Sequence, residues 1–136
     1  MSDQTAAMPP TPPELPRGRL PALDDRDADR LFWQGVAHFN GARYWHAHEA
    51  WEALWRSAPD DERDFYQGLV HVAVAWYQAG RGNRVGCERQ LAKAARRLGP
   101  FAPEHCGVDV GSVLAQVQAA AAIVAGGSLA LPPVRI

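Results

Sequence analysis

The sequence predicts an all-α protein: one bundle of about five helices, built from two antiparallel helical hairpins plus a C-terminal helix. Three observations carry that reading. Apolar residues recur at spacings of three and four through most of the chain after residue 25, and strand-like alternation persists nowhere. Glycine, proline, asparagine and aspartate fall between these stretches as start and stop signals. An internal echo, FWQGVAHF at 32–39 and FYQGLVHV at 65–72, repeats at an offset of 33 residues, near the period of two-helix repeats. Each copy opens one hairpin. Two hairpins are fewer than a solenoid needs, so a closed bundle is expected.

Taken in order, residues 1–25 form a proline-rich arm with few large apolar side chains, expected to be disordered. The bundle is expected over 26–127 and an extended tail over 128–136, where Pro132-Pro133 opposes a helix. Asp24, Asp25 and Asp27 offer N-caps for a first helix over about 26–40, with Phe32, Gly35, Val36 and Phe39 inward. Asn40-Gly41 stops it. The second helix, about 43–57, places Tyr44, Ala47, Trp51, Leu54 and Trp55 on one face. Ser57-Ala58-Pro59 ends it, and Asp60 or Asp61 is the expected cap of the third. That helix, about 61–79, is apolar nearly all round and so belongs in the middle. Gly80-Arg81-Gly82 breaks it, and Asn83 caps a fourth over about 84–98, with Val85, Leu91, Ala94, Ala95 and Leu98 inward. Gly99-Pro100 ends the fourth. Asp109 starts a fifth over about 110–125, which stops at Gly126-Gly127. Gly35 and Gly68 sit mid-helix, where glycine costs about 1 kcal/mol against alanine. Close helix–helix approach is the expected compensation.

The chain has 136 residues, 47% hydrophobic and 21% charged, which suits one soluble domain. A net charge of −1 gives no electrostatic footprint for nucleic acid or a membrane surface. No apolar run is long enough to span a bilayer, and no signal peptide is evident. Cys87 and Cys106 read as free thiols of a reducing compartment, hence a cytoplasmic protein.

The chemistry concentrates in YWHAHEAWEALW, residues 44–55, which holds three of the five tryptophans. His48 falls inside the apolar stripe, and Glu52 one turn later is its stacked neighbour. The polar set completed by Gln34, His38, Glu49, Gln67 and His71 leaves two readings open. Gln67 and His71 share a stripe of the third helix with Gln78, and folding the hairpins together would bring His48 and Glu52 against it. In the first reading His48, Glu49, Glu52, Gln67 and His71 form a hydrogen-bonded cluster that fixes helix register in a non-enzymatic interaction or scaffold module. A protein partner, or a second copy of the chain, would then meet the arm or the basic fourth helix with Arg89, Lys93, Arg96 and Arg97. In the second, His48, Glu52 and His71 hold a divalent transition metal, or line a small-ligand site, and a metal-bound water supports hydrolysis. The stretch His48-Glu49-Ala50-Trp51-Glu52 departs from the zincin pattern by putting Glu52 where the second histidine belongs, which argues against a peptidase. Cys87 and Ser57 have no activating base at a useful spacing, and no Gly-rich phosphate loop is present. His46 falls on the outer face. Trp45, Trp51, Trp55 and Trp76 read as core, with a ligand pocket as the alternative.

Three motifs occur in order: Phe39-Asn40-Gly41…Tyr44…Ala47-His48-Glu49…Trp51-Glu52…Trp55, then Phe65…Gln67-Gly68-Leu69, then Arg81-Gly82-Asn83…Gly86. Over about residues 28–98 the chain resembles the family called domain of unknown function 309. The resemblance implies a small all-helical bundle of bacteria and archaea, and implies no established activity, substrate or cofactor. Its signature positions fall here on His48, Glu49, Glu52, Gln67 and Gly68. Cys87, after Gly86, departs from the small residue usual in that family.

Overall fold

The computed structural model describes residues 20–136. Among these the chain forms five α-helices: α1 Asp25–Asn40, α2 Tyr44–Ser57, α3 Asp60–Gly80, α4 Arg84–Leu98 and α5 Val110–Ala125. The expected arm lies largely outside the described residues. Its last residue, Asp25, already belongs to α1, and Leu20 N–H donates to the Arg56 carbonyl at the end of α2.

Local chemistry accounts for the boundaries. Asp24 Oδ1 accepts from Asp27 N–H at 2.8 Å, Asn83 from Gly86 and Asp109 from Ser112, each satisfying an orphan donor of a first turn. The third helix is the exception to what was expected. Its N-cap is Pro59, and Asp60 and Asp61 lie inside the first turn with Glu62. There their carboxylates interact with the positive end of the helix dipole rather than capping it.

Successive helices pack against one another, α1 on α2, α2 on α3, α3 on α4 and α4 on α5. Helix α3 is sandwiched between α2 and α4, so Phe65, Leu69, Val72 and Ala73 are fully buried and Val70, Val74 and Trp76 nearly so. Each such large side chain contributes about 1.5–3 kcal/mol of burial. Helix α5 buries Val110, Val113, Val117, Ala120 and Val124, spaced by three and four, and leaves its other alanines outward. The mid-helix glycines sit where helices touch. A Cβ on Gly35 would collide with the Trp51 indole, and one on Gly68 would lie 2.6 Å from Leu98 Cδ2.

Three features depart from the sequence expectation. Val85, expected inward, is 56% exposed, and Cys87 takes the buried position on α4. On α2 the buried aromatic of the first turn is Trp45 rather than Tyr44. The irregular stretch after α4 contains a 3-10 turn, Gly99–Phe101, and a minimal antiparallel hairpin, β1 Glu104–His105 and β2 Val108–Asp109, with His105 opposite Val108. Its loop residues Cys106 and Gly107 have φ of 51° and 77°. Positive φ at both central residues is the type I′ pattern that suits the twist of a two-residue hairpin.

The tail after α5 carries no regular secondary structure, and it is docked. Trp76 Nε1 donates to the Pro132 carbonyl at 2.9 Å. Gln116 brackets the backbone of Arg135, and Asn40 brackets that of Ile136, each side-chain amide giving one bond and taking one. Val134 is thereby buried. None of the helices among the described residues is long and apolar enough to cross a membrane.

Candidate functional site

His48 points inward and is 0% exposed, because it shares the α2 face of Ala47, Trp51 and Leu54. Its ring is satisfied entirely within its own helix. Nδ1 lies 3.0 Å from the Trp45 carbonyl one turn before, and Nε2 lies 3.0 Å from Glu52 Oε2 one turn after. The imidazole also packs at 4.5 Å on the Trp45 indole, which in turn packs at 4.9 Å on Tyr77 of α3. His48 and Glu52 thus lock the rotamer of Trp45 against α3. Both ring nitrogens are engaged, so an incoming ion would have to break one of these bonds.

The other expected members do not gather around this pair. His71 Nδ1 lies 2.7 Å from Gln90 Oε1 on α4. Burial pushes its pKa below the usual histidine range; the Gln90 bond opposes this, and the nearby charges of Lys93, Arg97 and Arg96 reinforce it. Glu49 is exposed, since one residue beyond His48 is about 100° round the helix and no neighbour covers that side. Gln67 is half-buried and Gln34 exposed. Gln78 is buried and accepts from Asn83 Nδ2. A ligand set of His48, Glu52 and His71 is therefore not assembled. Among the described residues, the three metal-ligating side chains that do converge are Glu62, His105 and Cys106. The physical reason is that α3 offers His71 to α4 while α2 keeps His48 to itself.

A pocket opens beside the His48–Glu52 pair, on the far side of Trp45. The turn between α1 and α2 and the turn between α3 and α4 lie at the same end of the bundle, as antiparallel hairpins require. Between them is a cavity of about 390 Å³ lined by Arg43, Trp45, His46, Trp76, Tyr77 and Arg81, among others. Arg81 lies over the Tyr77 ring, 5.7 Å from its centroid. Arg43 Nε donates to His38 Nδ1 at 3.0 Å. His38 packs at 5.4 Å on His46, and its pKa is lowered first by burial and then by the charges of Arg43 and His46, with Glu49 opposing. The site combines flat aromatic walls with two guanidinium groups, which recognise carboxylates and phosphates bidentately. Sequence reading singles out Trp45 and Trp76, passes over Arg43, and takes Arg81 only as part of a helix stop and a family motif. The available signal was their position, each just after a helix-stop motif, Asn40-Gly41 and Gly80.

Residues 32–90 match the family model described as Domain of unknown function (DUF309), so the resemblance read from the motifs holds over that stretch. The uncharacterized protein YpuF of Bacillus subtilis (strain 168) is 32% identical over 87 residues, which cover 61% of this chain and 50% of YpuF. The chain thus spans about half the length of that curated relative. No solved structure matches it. The pocket lies wholly inside the family match, whereas His105 and Cys106 lie beyond it.

Proposed function

We propose that this chain is a non-enzymatic interaction module that receives a carboxylate-bearing segment of an acidic protein partner in the arginine–aromatic pocket. The observation that carries this reading is the placement of Arg43 and Arg81, from two separate turns, around one cavity walled by Trp45, Trp76 and Tyr77. Guanidinium groups held beside aromatic faces favour an anion flanked by an apolar or aromatic side chain. The His48–Glu52 pair supports the role from behind. It fixes the pocket wall and takes no part in chemistry. The two thiols, Cys87 and Cys106, are unpaired, which supports a reducing, cytoplasmic setting.

The test is a titration of the full chain with short peptides that differ only in Glu against Gln, or in a free against an amidated C-terminus, followed by tryptophan fluorescence. The acidic peptides should saturate, and R43Q or R81Q should each weaken them about tenfold, roughly 1.4 kcal/mol. His48→Gln should lower the melting temperature and, through a looser Trp45 wall, weaken the acidic peptides less than either arginine variant does. Equal binding of acidic and neutral peptides would sink the proposal, as would indifference to both arginine variants.

A further inference from the structure

We propose that Glu62, His105 and Cys106 form a binding site for one divalent transition-metal ion of the zinc class. The site is independent of the pocket. The three side chains offer carboxylate oxygen, imidazole nitrogen and sulfur, all within 4.8 Å of one another. Nε2 of His105 is 2.7 Å from Glu62 Oε1, and Cys106 Sγ is 3.8 Å from the same oxygen. Ligands held tetrahedrally at about 2.0–2.3 Å from a zinc ion stand roughly 3.3–3.8 Å apart. The sulfur–oxygen edge already fits, and the nitrogen–oxygen edge needs to open by about 0.7 Å as the ion replaces the bridging proton.

The donors are held from two directions. Glu62 belongs to the first turn of α3. His105 comes from β1, where its ring is wedged between Phe65 at 4.6 Å and Phe101 at 4.8 Å. Cys106 sits at the tip of the type I′ loop, whose following strand is anchored by the buried Val108. Glu104 is occupied elsewhere, accepting from Gly107 N–H at 2.9 Å. Three protein ligands with an exposed thiol leave the fourth position to water, the pattern of an open site. Sulfur and imidazole select a zinc-class ion over magnesium or calcium. Binding takes an ionised Glu62, a thiolate and a neutral imidazole whose proton passes from Nε2 to Nδ1 through solvent, so the net release is one proton per ion, from the Cys106 thiol.

The experiment uses full-length protein stripped by chelator and then titrated with zinc against a chromophoric competitor, with cobalt as the spectroscopic probe. The expected result is one zinc per chain and a cobalt spectrum with a sulfur-to-metal charge-transfer band. C106S should abolish that band and weaken zinc at least tenfold, and E62Q and H105Q should weaken it in the same direction. C87S and H46Q should leave both unchanged. Because Cys106 is exposed, C106S should keep the wild-type circular dichroism; the isosteric E62Q is the second check on the fold. The proposal is overturned if stoichiometric binding is absent, or if C106S retains the wild-type affinity and band.

Discussion

The two helical hairpins end in turns built on one backbone plan and finished with different side chains. In the first, Gly41 N–H donates to the Ala37 and His38 carbonyls and Arg43 N–H to His38. In the second, Arg81 N–H donates to Tyr77 and Gln78 and Asn83 N–H to Gln78. The left-handed residue is Ala42 in one, at φ 62°, and Gly82 in the other, at φ 76°. The residue before the next helix is Arg43 in one, with no side-chain cap, and Asn83 in the other, which caps through Gly86. The second turn follows the rules of helix termination. The first departs from them at two positions, and both line the pocket. Under the proposed function, the left-handed alanine and the missing cap are what it costs to set Ala42 and Arg43 in the pocket.

The largest test compares the paired glycines. Gly35→Ala meets the fully buried Trp51 indole, which also donates to the Phe32 carbonyl at 3.3 Å and cannot turn aside. Gly68→Ala meets the branched end of Leu98, which has other rotamers. Denaturant unfolding should show a loss of about 3 kcal/mol for G35A and about 2 kcal/mol for G68A. Equal losses would mean that the two interfaces are equally compliant. Next come the caps. Asn83→Ala should cost about 1 kcal/mol, whereas Arg43→Ala should stay within about 0.5 kcal/mol of wild type. A smaller effect, of opposite sign, is expected where the first turn breaks the rules. Ala42→Gly relieves a left-handed alanine and should gain about 0.5 kcal/mol, and Arg43→Asn should add a cap worth a few tenths while weakening acidic-peptide binding about tenfold, as R43Q does. Weaker binding with a gain in melting temperature would separate function from folding at one residue.

The pH dependence is the subtlest contrast. His38 and His71 hold equivalent places in the internal repeat, and burial chiefly holds both below the ordinary histidine value of about 6.5. A histidine lowered in the native state binds its proton first in the unfolded chain. The stability it contributes is therefore complete above about pH 6.5 and is lost as pH falls through the native value. Thermal melts between pH 7.5 and pH 5 should fall, H71Q should flatten the curve, and H38Q should change it less because His38 is nearer solvent.

The helices were readable because their ends are written locally. Asp24, Asn83, Asp109 and the stops at Asn40-Gly41 and Gly126-Gly127 act within four residues of themselves. The inward orientation of His48 was readable for the same reason, from the spacing of Ala47, Trp51 and Leu54. Its partners were misjudged: periodicity gives the face of a helix but not whether i−3 and i+4 oxygens will use up a ring before a neighbouring helix arrives. The Glu62–His105 contact joins positions 43 residues apart and leaves no periodic trace. The Cys106-Gly107 hairpin gave only a glycine as its signal, since two-residue strands are too short to alternate. Hydropathy places Val85 inward, yet it falls off the α4 face of Cys87, Leu91, Ala94 and Leu98 that is buried.

The docked tail has a consequence for the rest of the molecule. Asn40 holds the backbone of Ile136 across 96 residues of chain, and Trp76 holds Pro132 while also walling the pocket. Peeling this clasp away would strip an acceptor from the Trp76 indole and uncover Val134 and the flank of Tyr44. The cavity wall and the terminal ribbon therefore share one indole, a single pin through two pieces.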